Sequence, residues 1–134
     1  MKFYPTDVSI PEQKRTAQLY LRPLRATDAA LDYEAVMASS EQLHRWSQTE
    51  WPTDDFTVAQ NREDLARHER EHEERVAFTY TVLDPNETCC LGCVYITPLA
   101  SYPVQICDEA TYAANIGFWV RSSEIANDLD KHLT

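Results

Sequence analysis

Between residues 17 and 24 the chain reads AQLYLRPL, with Leu19 and Leu21 alternating against Tyr20 and Arg22 until Pro23. A period of two predicts a half-buried strand with the leucines inward, and a proline ends it because it removes a ladder donor. In the following ATDAALDYEAVMAS, Ala29, Tyr33, Val36 and Met37 recur at helical spacing. That pattern predicts a short helix with Thr27 as its cap. The next stretch, SSEQLHRWSQTEWPTDD, has no clean period and reads as an irregular connection. Its Trp46 and Trp51 are expected to cover the core, with a substrate wall as the second role. Thr57-Val58-Ala59-Gln60 then forms a capping box, in which the Thr57 hydroxyl and the Gln60 amide each satisfy an orphan backbone N–H. A helix is expected from there through about Arg75.

The pattern returns to a period of two in RVAFTYTVLD, where Val76, Phe78, Tyr80 and Val82 alternate with Ala77, Thr79 and Thr81. Dense β-branched and aromatic residues make this a strand. Asp84 to Thr88 reads as a turn with Pro85 presetting φ, and CCLGCVYITPL resumes an extended pattern until Pro98. The two strands are expected to form a hairpin. Beyond the loop ASYPVQICDEATY, AANIGFWV predicts another strand and NDLDKHLT the start of a helix.

Composition narrows the class of protein. A length of 134 residues suits one domain, taken as residues 17–134 behind an N-terminal extension of residues 1–16. A formal net charge of -10 repels phosphate backbones and anionic lipid heads, which disfavours nucleic acid and membrane partners and favours cationic ones. No apolar run reaches membrane-spanning length and no hydrophobic segment follows Lys2, so the expected compartment is the cytoplasm. There the four cysteines stay reduced.

Two motifs resemble reactive sites. Cys90-Leu91-Gly92-Cys93 has CxxC spacing. In a regular strand an offset of three puts the two thiols on opposite sheet faces, where they cannot share an ion, even with Cys89 or Cys107 recruited. A redox thiol would want a helix N-terminus. The expectation is therefore a pair of structural cysteines flanking Gly92, a glycine that admits close backbone approach. His68-Glu69-Arg70-Glu71-His72 matches HExxH, the pattern of a helix that places two imidazoles on zinc. It lies in a helix dense in Glu and Arg, with only His132 as a third ligand by elimination. Asn61, Leu65, His68 and His72 share one side of that helix, so the histidines are expected to edge its sheet-facing stripe and no metal is expected. No Walker loop, GxSxG elbow or dinucleotide fingerprint is present.

The order strand, helix, helix, three strands, helix resembles the GNAT family of N-acetyltransferases over roughly residues 17 to 133. LRPLRATDA is similar to the family's opening strand and helix, CLGCVYI to its glycine-containing third strand, and NIGFWVRSSEIANDLDKHL to its acetyl-CoA strand, loop and helix. The resemblance implies an α/β fold of α+β type, with a mixed, mostly antiparallel sheet flanked by helices and with the family's later strands absent after Thr134. It also implies acetyl transfer from acetyl-CoA to a primary amine, on a small molecule or peptide, by direct attack and without a metal. The backbone N–H groups of Gly117, Phe118, Trp119 and Val120 would hold the pantetheine and polarise the thioester. The segment from Arg121 through Ala126, Asn127, Asp128 and Leu129 would receive the pyrophosphate, although Glu124 to Asp128 stand where the family usually has glycines. Glu109 and Glu50, with Asp54 behind them, are the candidate general bases, and Tyr95 and Tyr112 are weaker candidates. A competing class is a catalytically inert GNAT-like module that pairs with another chain, including a second copy as a homodimer, through the edge of the 114–120 strand.

Overall fold

The computed structural model describes residues 13–98 and 114–125. They build one antiparallel sheet in the order β1 (Lys14–Arg15), β2 (Tyr20–Pro23), β3 (Phe78–Leu83), β4 (Cys90–Pro98) and β5 (Ala114–Val120). The helices are α1 (Ala29–Ala38), α2 (Ser40–Ser47), α3 (Val58–Glu73) and a short α4 (Ser122–Ile125). This is the α+β architecture expected from the sequence. Residues 1–12, the 99–113 loop and the helix proposed from Asn127 onward lie outside the described residues.

The first strand carries a correction. Leu19 and Leu21 pack in a cluster with Val82, Leu91 and Val120, whereas Tyr20 joins the larger cluster with Leu24, Ala35, Val36, Leu43 and Leu65. Both faces of β2 are covered, so Tyr20 is not an outward residue. Its hydroxyl donates to Gln13 at 2.7 Å, which lets a phenol sit at the core margin without losing a hydrogen bond. Ahead of it Lys14–Arg15, in the stretch read as an extension, pairs with Tyr20 and Leu21.

Thr27 is not the cap of α1. It lies within a 3-10 turn, Ala26–Asp28, whose turn is closed by the Asp28 carboxylate accepting from the Arg25 N–H at 2.9 Å. The same carboxylate takes two bonds from the Arg22 guanidinium, at 2.7 and 2.8 Å, and so ties the turn to β2. Ala29 and Val36 are fully buried on α1, as their spacing predicts. Thr57 and Gln60 make both capping-box bonds at 3.1 and 2.9 Å, and α3 starts where the box predicts.

The region read as an irregular connection contains α2, with only Ser39 between it and α1. Its one buried anchor is Leu43, and a single apolar contact gives too little periodicity to reveal an eight-residue helix. The Asp84 turn is as expected. The carboxylate accepts from the N–H groups of Thr88 and Cys89 and from the Thr88 hydroxyl at 2.7 to 2.8 Å, and β3 and β4 pair as a hairpin.

The hairpin holds the largest departure from a regular pattern. Its register shifts between Val82 and Leu83, so that Leu83 faces Cys90 while Val82 faces Gly92, and Leu91 is the extra residue of a β-bulge. The bulge puts Cys90 and Cys93 in the same core cluster and turns Leu91 to the other. The thiols therefore share a face, contrary to the three-residue argument, which assumes an uninterrupted pleat. Gly92 serves close approach as expected. A Cβ built there would sit 2.3 Å from the Trp119 carbonyl oxygen.

Candidate active site

The site is built where α1 packs on β4, α3 packs on β3 and α2 reaches the end of β5 through Gln42. β5 is the terminal strand among the described residues and pairs with β4 alone. Its register matches Cys93 with Trp119 and Tyr95 with Gly117, and the Arg121 N–H donates to Leu91 O. Hydrogen-bonded pairs alternate with non-bonded ones in an antiparallel ladder. The backbone groups of Gly117, Trp119 and Arg121 are thereby spent on β4, and those of Ile116, Phe118 and Val120 point to the open edge. Val120 O confirms the direction, because it accepts from Gln42 Nε2 at 3.1 Å.

The end of this strand is fixed from the helices. The Ser122 N–H donates to Ser39 Oγ at 2.9 Å, and the Ser122 hydroxyl donates to Gln42 Oε1 at 2.9 Å. The Arg121 guanidinium engages the Glu34 carboxylate with two nitrogens and holds it below the usual carboxylate range. Ser39, at the break between α1 and α2, is thus the hinge against which the strand end is seated.

Between the helices and Tyr95 of β4 lies a cavity of about 330 Å³. Trp46, Trp51 and Tyr95 supply its aromatic walls, and Asp32, Asn61, Asp64 and His68 supply its polar groups. Trp46 joins the cavity to β5: its ring lies 5.8 Å from that of Tyr95, and its Cζ2 atom would be 3.8 Å from a Cβ on Gly117. Tyr95 is held by the Trp119 indole N–H, which donates to its hydroxyl at 3.0 Å. Burial raises the phenol well above its usual range, so it stays protonated.

Asp32 is 4% exposed and receives a hydrogen bond at 3.0 Å from Asn61 Nδ2, the one this carboxylate receives among the described residues. Burial raises its pKa to about 6, against the lowering effect of Asn61. His68 is pushed the other way, to about 4, by burial and then by the Arg67 charge. At neutral pH Asp32 is therefore a carboxylate and His68 a neutral imidazole.

The HEREH helix resolves as its apolar stripe predicts. His68 Nδ1 lies 3.3 Å from the Thr79 hydroxyl, whereas His72 packs edge-on against Phe78 and Tyr80 at 5.0 and 5.2 Å. Glu69 accepts from the Ala26 N–H at 3.0 Å, a tie between α3 and the turn before α1. Among the described residues no three His, Cys, Asp or Glu side chains converge as a metal site. Burial raises Cys90 to about 12 and Cys93 well above its usual value, so both are thiols at neutral pH.

Of the residues named from the sequence, the structure brings Gly117, Phe118, Trp119, Val120 and Tyr95 together and places Arg121 at the strand end. Glu50 and Asp54 are exposed in the segment between α2 and α3. Glu109, Tyr112, Ala126, Asn127, Asp128, Leu129 and His132 lie outside the described residues. Sequence reasoning missed Asp32, although the signal was present. A carboxylate at position 32 falls between the buried Ala29 and Val36 of the α1 stripe, and a charge in an apolar stripe marks a group with a partner or a task.

Residues 18–127 match the family profile described as the acetyltransferase (GNAT) domain, and the chain belongs to that family. Its fold is similar to that of a ribosomal-protein-S5-alanine acetyltransferase from Vibrio fischeri, with a TM-score of 0.64 and 20% identity over 84% of this chain and 57% of that one. It is also similar to RimL, a ribosomal L7/L12 alpha-N-protein acetyltransferase in complex with coenzyme A, with a TM-score of 0.63 and 18% identity over 84% of this chain and 57% of that one. The microcin C7 self-immunity acetyltransferase MccE, solved with acetyl-CoA and AMP, gives a TM-score of 0.60 and 15% identity over 81% of this chain and 53% of that one. The chain thus spans somewhat over half the length of these structures. Comparison with curated proteins finds no match.

Proposed function

We propose that this protein transfers an acetyl group from acetyl-CoA to a primary amine by direct attack, with acetyl-CoA lying along the open edge of β5. The observation that carries the reading is the alternation of that strand, which turns the N–H groups of Ile116, Phe118 and Val120 away from β4. Donors fixed by a sheet need no reorganisation to polarise a carbonyl oxygen. Gly117 and Trp119 then support the site by holding β5 to β4, while Phe118 and Val120 donate.

When bound, acetyl-CoA supplies the activated acyl carbon and a thiolate leaving group. The amine must reach that carbon neutral, and Trp46 and Tyr95, beside Gly117, shape its path and exclude water. The segment from Arg121 to Leu129 is assigned to the pyrophosphate, with Arg121 and Ser122 oriented by Glu34, Ser39 and Gln42. Glu109 remains the proposed base, and the exposed position of Glu50 makes it the weaker choice. The acetyltransferases RimL and MccE, solved with coenzyme A and with acetyl-CoA, support the choice of donor.

Thermal unfolding with and without acetyl-CoA tests the reading, paired with release of free thiol across a panel of amines. A ligand at about 100 times its Kd adds roughly 2.7 kcal/mol to the folded state. A rise in Tm and amine-dependent thiol release are expected. An unmoved Tm at millimolar acetyl-CoA, with no thiol released, would refute it.

A further inference from the structure

The cavity behind Tyr95 poses a question of charge that acetyl transfer leaves unanswered. Its acidic groups come from two helices: Asp32 from α1 and Asp64 from α3. Asp32 is nearly inaccessible, and its neighbour Asn61 spends its side-chain N–H groups on the Asp32 carboxylate and on Ala29 O. The nearby Asp28 already has its counter-ion in Arg22. The cation at the rim, Arg67, is half exposed and lies 3.7 Å from Glu71 of its own helix. His68 is neutral. Carboxylates in a cavity walled by three aromatic rings form an environment that favours a compact cation, through charge and through the faces of the rings.

That cation is not the attacking amine. A carboxylate within a few ångström stabilises the protonated form of an amine, and a protonated amine has no lone pair with which to attack. The nucleophile belongs at the open edge of β5, and within the cavity Trp46, beside Gly117, and Tyr95 are the walls nearest that strand. We infer that the cavity recognises a second, non-reacting ammonium of the acceptor, seated on Asp64 with the buried Asp32 charge behind it, against Trp46, Trp51 and Tyr95. The acceptor is thus a compound with two cationic amines joined by an alkyl stem, either a free diamine or a peptide carrying lysine. This rests on the acetyl-transfer reading for the position of the reacting amine.

Calorimetric titration of the full chain tests it without turnover. The probes are diaminobutane, its mono-N-acetyl derivative, N-acetylbutylamine and a lysine tripeptide blocked at its N-terminus. The first two retain an ammonium for the cavity and are expected to bind. N-acetylbutylamine retains none and should bind at least about tenfold more weakly, as the loss of a charge-assisted bond implies. Asp32→Asn preserves shape and should weaken the mono-N-acetyl probe about tenfold or more. Asp64→Asn, at a partly exposed position, repeats the test should the first variant unfold. A lysine peptide that binds more tightly than diaminobutane supports the inference and assigns the ammonium to a peptide side chain; the reverse order supports it and assigns a free diamine. Affinities of charged and uncharged probes within about threefold of each other would overturn it, as would a charge preference that survives both substitutions. Parallel titration with acetyl-CoA separates the two ideas, since failure there with a retained ammonium preference removes the transferase reading alone.

Discussion

Gly92→Ala isolates the contact that sets the position of β5. The added Cβ would lie 2.3 Å from Trp119 O and 3.1 Å from Val120 Cα, both backbone atoms that no rotamer change can move. Restoring an ordinary contact of about 3.5 Å needs a displacement of roughly 1 Å between the strands. That movement stretches the Cys93–Trp119 pairing and the bond from the Arg121 N–H to Leu91 O. Overpacking of this kind costs about 1–3 kcal/mol and a weakened ladder bond about 1 kcal/mol more, so a loss of roughly 2–4 kcal/mol is expected. For a chain of this size that is a fall in Tm on the order of 10 °C. Urea titration at constant m reads the difference, and Gly117→Ala is the control. The Cβ of that variant meets only the Trp46 ring at 3.8 Å, an ordinary contact, and should change stability by less than about 1 kcal/mol. Equal stabilities for the two variants would refute the reasoning, because they would show that Gly92 is not pressed against β5.

The cavity's two shifted groups oppose each other in pH. Asp32, raised from 3.8 to about 6, contributes stability present below pH 3.8 and lost as pH rises to 6, whereas His68, lowered from 6.5 to about 4, contributes stability present above 6.5 and lost as pH falls to 4. Each is worth roughly 3 kcal/mol across nearly the same window, so relative to the parent the unfolding free energy should fall more steeply on acidification in Asp32→Asn and more steeply on alkalinisation in His68→Gln. Thr57→Ala removes the α3 cap and should cost about 1 kcal/mol by chemical denaturation, with Thr57→Ser restoring most of it. Iodoacetamide at neutral pH, read by peptide mass mapping, should leave Cys90 and Cys93 unmodified until the chain unfolds, since both are buried thiols; labelling of either in the native state would contradict their assignment.

Much of the fold was legible because it rests on local signals. The Thr57 box and the Asp84 turn place their hydrogen bonds within a few residues, and a sequence window contains all the partners. Three features were not legible for a common reason. The bulge at Leu91, the covering of both faces of β2 and the helix around Leu43 each depend on what another element presents, which no window contains. The candidate site divides the same way. The strand NIGFWV was recognisable, but which of its amides face outward follows from its register with β4. Asp32 comes from α1 and Asp64 and His68 from α3, and they meet only after folding.

The central claim is that alternate amides of β5 form the acetyl-CoA edge. Residue-resolved amide hydrogen exchange, with and without saturating acetyl-CoA, tests it most directly. The account predicts that Gly117 and Trp119 are protected in both states, while Phe118 and Val120 exchange faster in the free protein and gain protection with acetyl-CoA. Protection of Phe118 and Val120 that acetyl-CoA leaves unchanged, or a gain at Gly117 and Trp119 in their place, would contradict it.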